Sequence, residues 1–223
     1  MHKYILSSAL IFLGCVGTPK MELQQNPSPV QTDSLKAETA KACDINAYKT
    51  VDIDGQVWLA ENWNCDSAPS KCYDNDPANC QKYGRLYTWE TAIKVCPAGW
   101  HLPSDADWNA LMKFVNTATK LKDTSGFAAL PGGSYSWSYP ASFPNNPEKP
   151  SGSFYGVGND GVWWSSCDLP ALRNSGQFPR FINCNWRMAY NYENIFYSHT
   201  SSPEPVGGGG SVQWYSVRCV KDK

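Results

Sequence analysis

Nine cysteines are the residues of this sequence with the widest chemical repertoire. A thiolate can attack carbon, ligate a metal, carry an acyl chain or pair into a disulfide. Structural zinc sites place two cysteines close together in sequence, and no Cys-x-x-Cys pair occurs anywhere in the chain. Disulfides fit better, because oxidising compartments convert such a density of thiols into bridges. An odd count leaves one sulfur for a separate task. Other catalytic patterns are missing. The sequence has no Gly-x-Ser-x-Gly elbow, no His-Glu-x-x-His helix and no phosphate-cradling glycine loop; the Gly207 to Gly210 run lacks the lysine and following helix such a cradle needs. His101 stands between Trp100 and Leu102-Pro103, just before an expected helix start, and reads as a structural residue that caps or packs there. His199, in a polar Tyr-Ser-His-Thr stretch, reads as exposed. A net charge of −1 excludes the basic footprint of a nucleic-acid binder.

The separate sulfur is Cys15. Lys3 precedes an apolar run from Tyr4 to Leu13 that is too short to span a bilayer. The run ends in Phe12-Leu13-Gly14-Cys15, which resembles the bacterial lipoprotein box, although Phe12 and Leu13 depart from its preferred types. The resemblance implies cleavage before Cys15, diacylglyceryl transfer to its sulfur and acylation of the new amine. Each buried CH₂ of those chains contributes roughly 0.8 kcal/mol, so several chains hold firmly. An ordinary signal peptide with an incidental cysteine is the alternative. Val16 follows, where an aspartate would retain many enterobacterial lipoproteins at the inner membrane, so outer-membrane or cell-surface placement is permitted. The expected organisation is a signal peptide over 1–14, a lipidated cysteine with a disordered tether over 15–42, and one domain over 43–223. The tether is rich in Thr, Pro, Gln, Ser, Lys and Glu, and cannot bury enough apolar area to offset its ordering entropy.

The domain must position its residues with short elements. Thr50 to Ile53 and Gln56 to Leu59 flank Asp54-Gly55, a hairpin pattern. Cys72 and Cys80 enclose a polar loop; Asp74 and Asp76 lack the glycine an EF-hand requires. Two helices are expected. One covers Thr88 to Val95. The other starts at Ser104, with Asp107 as a capping-box-like acid, and carries Trp108, Leu111, Met112 and Val115 on one face. Val162-Trp163-Trp164-Ser165 reads as a buried strand and Val212 to Val220 as the last one. The ten tryptophans and twelve tyrosines, with 17 glycines and 16 prolines, point to a loop-rich α+β fold with a small curled antiparallel sheet.

Seven blocks then carry a resemblance. They are Tyr48-Lys49-Thr50-Val51 with Gly55 to Asn62, Lys71 to Asp76, Tyr83 to Trp89, Cys96 to Ser104, Phe127 to Gly133, Trp163-Trp164-Ser165 and Ser216 to Val220. In this order they resemble the Fibrobacter succinogenes major paralogous domain family, exported modules that are often lipoproteins and have no established activity. The Gly99-to-Ser104 block with Trp108 is also similar to a block of formylglycine-generating enzymes. That likeness implies a C-type-lectin-like fold.

Under this resemblance the eight cysteines beyond Cys15 are expected to form disulfides, out of 105 possible pairings. Cys72 with Cys80 is the local pair. Cys96 with Cys219 would tie the end of the chain to its middle, Cys43 and Cys65 flank the hairpin, and Cys167 and Cys184 flank a later loop. Each long-loop bridge contributes about 3–4 kcal/mol on the chain-entropy account. An oxidase of the formylglycine-generating type needs a close, copper-binding cysteine pair, and Cys167 and Cys184 are too far apart in sequence to reproduce it. Calcium-dependent lectins use Glu-Pro-Asn and Trp-Asn-Asp; here Asn146-Pro147-Glu148 is reversed and Asn159-Asp160 lacks the tryptophan, leaving a possible calcium site at Asn146, Glu148, Asn159 and Asp160 against plain loop turns. Two aromatic clusters have the composition of binding loops: Trp186, Arg187, Tyr190 and Tyr192, and Tyr135 with Trp137. The expectation is a non-enzymatic envelope module, without an obligate cofactor, that binds glycan or protein. The alternatives are a structural envelope component and a fold-related oxidase.

Overall fold

The computed structural model describes residues 42–67, 69–115, 118–123, 126–138, 151–167, 181–189, 195–202 and 211–223. The hairpin forms as the sequence predicts. Strands β1 (Thr50–Ile53) and β2 (Gln56–Leu59) pair antiparallel with Ile53 opposite Gln56. Asp54 and Gly55 both adopt positive φ, 54° and 77°, the backbone of a two-residue type I′ turn.

Among the described residues, four α-helices stand where two were expected. They are α1 (Pro77–Tyr83), α2 (Trp89–Val95), α3 (Asp105–Val115) and α4 (Ala118–Lys122). The start of α1 inside the Cys72–Cys80 loop was readable. Asp76 accepts a hydrogen bond from the Ala78 amide at 2.9 Å and Pro77 follows it at the first helical position. Helix α3 starts with the expected box. The Ser104 amide donates to Asp107 Oδ2 at 2.9 Å, and the Asp107 amide donates to Ser104 Oγ at 3.2 Å.

The other strands are β3 (Ser70–Lys71), β4 (Leu86–Tyr87), β5 (Trp100–His101), β6 (Ser134–Ser138), β7 (Ser151–Tyr155), β8 (Asp160–Trp164), β9 (Phe181–Ala189), β10 (Ile195–Ser202), β11 (Ser211–Ser216) and β12 (Val220–Lys221). One sheet runs β1-β2-β12-β5; the other runs β10-β9-β8-β11-β4-β3, with β6 and β7 attached through β11. Among the described residues, pairing is antiparallel except where Ser216 of β11 lies beside Trp163 of β8 and at a bridge between Gly133 and Gly161. Strand β11 curls the sheet by changing partners. Its Ser211 to Trp214 half pairs with β6, and Tyr215 and Ser216 pair with β4. The single last strand expected over Val212 to Val220 is therefore two strands, because at Val217-Arg218-Cys219 the chain leaves the β11 ladder and its carbonyls accept instead from the Trp63 and Leu59 amides.

Strand β8 lies between two cores, which is why its sequence is a continuous apolar run. Trp163 joins Trp58, Trp108, Phe127 and Trp186 on one side. Val162 and Trp164 join Trp63, Tyr87, Trp89 and Tyr215 on the other. Four disulfides close the fold: Cys43–Cys65, Cys72–Cys80, Cys96–Cys219 and Cys167–Cys184, with Cα–Cα separations of 4.4, 4.9, 5.8 and 5.9 Å. Cys72–Cys80 is the local pair the sequence suggests, Cys96–Cys219 ties the chain's end to its middle, and the other two bridges close the segments that Cys43 with Cys65 and Cys167 with Cys184 flank.

Candidate functional site

The segment between β12 and β11 builds the most heavily bonded polar group among the described residues. Arg218 is fully buried. Its Nε and Nη2 donate to Asn62 Oδ1 at 3.1 and 2.8 Å, and Nη1 donates to the Leu59 and Phe127 carbonyls at 3.0 and 2.5 Å. The guanidinium carbon stands 4.3 Å from the Phe127 ring centroid. Asn62 Oδ1 also accepts from Trp163 Nε1 at 2.8 Å, and its amide donates to the Tyr83 carbonyl at 2.8 Å. Burial pulls the Arg218 pKa down to about 9, with Glu61 pulling the other way, so the group is charged at neutral pH. Every donor points at the protein's own chain. The knot joins five segments, those of Arg218, Leu59 to Asn62, Phe127, Trp163 and Tyr83, and offers nothing to a ligand.

His101 is committed in the same manner. Its Nδ1 lies 2.6 Å from Asp222 Oδ1, and its Nε2 lies 3.3 Å from Asp107 Oδ2. Burial, the largest single influence on Asp107, works to raise its pKa. The Ser104 hydroxyl and amide together with His101 outweigh it and hold the carboxyl below its usual range. His101 thus props a helix cap, as its place in the sequence predicts.

Two open surfaces stand out among the described residues. One is a cleft of about 800 Å³ between Tyr48, the Glu61–Asp66 segment and the Cys72–Cys80 loop. Arg85 crosses it, paired to Asp66 Oδ1 at 2.6 Å and donating to Ser70 Oγ at 2.9 Å. The buried Oδ1 of Asn64, on its wall, has no hydrogen-bond partner among the described residues.

The other surface is the ribbon of β7, β6 and β11. The sequences Ser134-Tyr-Ser-Trp-Ser138, Ser151-Gly-Ser-Phe-Tyr155 and Ser211-Val-Gln-Trp214 alternate, and successive residues of a strand point to opposite faces. The register puts Tyr135 between Phe154 and Trp214, and Trp137 between Gly152 and Val212. These form an apolar face. Tyr135 meets the Phe154 ring at 4.6 Å and the Trp214 ring at 5.8 Å, Tyr73 packs on Phe154 at 5.0 Å, and Lys71 Nζ lies 5.0 Å from both the Tyr135 and the Trp214 centroids. Gly152 is required there, because a Cβ would collide with the Tyr135 hydroxyl. The opposite face carries Ser211, Ser138 and Ser151 in one row and Gln213, Ser136 and Ser153 in the next, with Tyr155 beside Ser134. Gln213 Nε2 donates to Ser136 Oγ at 3.0 Å and to Ser211 Oγ at 2.9 Å. Ser138, Ser151, Ser153 and Tyr155 are exposed.

The expected binding residues are therefore distributed as follows. Tyr135 and Trp137 are together and half-buried. Trp186 is not a surface residue. It is 8% exposed and stacks on Trp108 at 5.8 Å, because β9 turns it toward the core while turning Arg187 outward. Arg187 is 54% exposed and pairs with Asp160 Oδ2 at 3.0 Å. Asn159 and Asp160 lie at the turn into β8, their amides bonded to the Gly156 carbonyl at 2.9 and 2.7 Å. The described residues contain no group of three or more His, Cys, Asp or Glu placed to hold a metal. Cys15, Asn146, Glu148, Tyr190 and Tyr192 lie outside the described residues. Residue composition alone drew attention to Tyr135 and Trp137 and missed the serine rows and Tyr155. Their signal was the two-residue alternation, which also assigns the aromatics to the inner face.

No curated protein and no solved structure matches the chain. A family model does: that of the Fibrobacter succinogenes major domain matches residues 51–221. The match takes in both sheets, the Arg218–Asn62 knot, the serine ribbon and three whole disulfides, and on it the chain belongs to the Fibrobacter succinogenes major domain family.

Proposed function

We propose that this chain is an exported, non-enzymatic binding module, anchored through acyl chains on Cys15 to the outer membrane or cell surface, that engages glycan or protein through the ribbon of β6, β7 and β11. The observation that carries the reading is the ribbon itself: a face with exposed hydroxyls and an exposed tyrosine, fixed from behind by packed aromatics. The eight paired cysteines support an oxidising compartment and leave no thiol among them for redox catalysis. The C-type-lectin-like reading of the fold belongs to this proposal. Its support is a pair of helices, α2 and α3, in a domain whose first hairpin and last strand share a sheet.

Labelled palmitate is expected to enter the wild-type chain in cells and not the Cys15→Ser variant; equal labelling of both removes the anchor. Envelope material captured by the full chain is expected to be released in the Tyr155→Ala variant. Capture that survives this change places the contact surface elsewhere. The module functions without a cofactor in this reading, so added calcium is expected to leave the melting temperature unchanged.

A further inference from the structure

We infer that the outward face of the ribbon is a track for a short segment of an uncharged polysaccharide, with Tyr155 as its stacking residue. This rests on the reading of the ribbon as the contact surface and adds the ligand class.

Size argues first. Three strands spaced about 4.8 Å apart and five residues long cover about 14 by 17 Å, roughly 240 Å². A stable protein partner needs about 800 Å² on each side. The face is thus too small for a protein interface of ordinary size, and it accommodates a few sugar rings.

Charge argues second. No position on this face carries a charge: it consists of serines, Gln213 and Tyr155. Uronic acid or phosphate groups would call for Arg or Lys, which pair with anions through charge-assisted bonds. A serine hydroxyl both donates and accepts, which is also the capacity of a sugar hydroxyl. The rows Ser138–Ser151 and Ser136–Ser153 offer such groups at strand spacing, comparable to the length of one pyranose ring. Gln213 holds Ser136 and Ser211 in place by its side-chain amide, so part of the track is preorganised. Tyr155 is 56% exposed at the end of β7 and presents a ring against which the apolar face of a sugar can stack.

The test is affinity electrophoresis of the full chain in mild detergent, in gels containing dextran, amylose, glucomannan or xylan, or the acidic polymers alginate and polygalacturonate. At least one uncharged polymer is expected to retard the wild type, and neither acidic polymer. Tyr155→Ala is expected to weaken the retarding affinity about tenfold, and Ser136→Val with Ser153→Val at least as much, since valine favours strands and preserves the fold. Retardation unchanged in both variants overturns the track and leaves the binding-module reading in place. Retardation only by acidic polymers also overturns it. If no polymer retards the chain, the track is wrong; if envelope capture fails as well, the binding-module reading falls with it.

Discussion

The Arg218–Asn62 knot and the serine rows of β6, β7 and β11 are both polar, and their fates are opposite. Inside, a lone guanidinium satisfies its donors on the backbone carbonyls of Leu59, Phe127 and Ala128 and the side chain of Asn62. Outside, the hydroxyls of Ser138, Ser151 and Ser153 stand in solvent on a ribbon whose other face is packed. The difference follows from the cost of burial. A charge removed from water must be met by partners, and those partners then belong to the fold. A hydroxyl at the surface can exchange water for a ligand at little cost. Polarity in the knot holds this protein together, and polarity on the ribbon is available for recognition.

Four substitutions break or sharpen this contrast. The largest effect is expected from removing the Cys96–Cys219 bridge, which anchors the strand end beside Arg218. Cys96→Ala with Cys219→Ala should lower unfolding free energy by about 4–5 kcal/mol, read by urea denaturation against the wild type. Next is Arg218→Ala, which strands Asn62 and the Leu59 and Phe127 carbonyls without their donor; the expected loss is about 3–5 kcal/mol. A loss below 1 kcal/mol would show that the knot is not structural.

Asp107→Asn should cost about 1 kcal/mol at neutral pH, the worth of a helix cap. Its pH dependence has a definite sign. The folded carboxyl is held below its usual range, so its contribution is complete above pH of about 4, the ordinary carboxylate value, and is lost as pH falls through the folded one. The gap between wild type and Asp107→Asn is therefore expected to close below that pH, as followed by thermal melts. Smallest is Tyr155→Ala, expected to change stability by less than about 0.5 kcal/mol because its ring is exposed. A larger loss would make Tyr155 a packing residue and end the contrast.

Local rules decided much of this protein. The Asp54-Gly55 turn and its register follow from a two-residue preference for positive φ. The Ser104–Asp107 cap and the Trp108 stripe of α3 follow from spacing. Of the four bridges, Cys72–Cys80 closes a loop that is short in the sequence, whereas the 123-residue span of Cys96–Cys219 is set by the tertiary fold. Even the two faces of the ribbon are written in the alternation of serine with aromatic residues. Tertiary structure decided which of those features could meet a partner. Trp186 and Arg187 are neighbours in sequence, yet one stacks on Trp108 in the core and the other faces solvent, because successive residues of β9 point to opposite faces and helix α3 packs on the Trp186 face. Likewise, nothing local marks Arg218 as buried. Its place depends on Asn62, Phe127 and Cys96, which lie far away in the chain, and a long-range contact leaves no periodic trace in the segment that makes it.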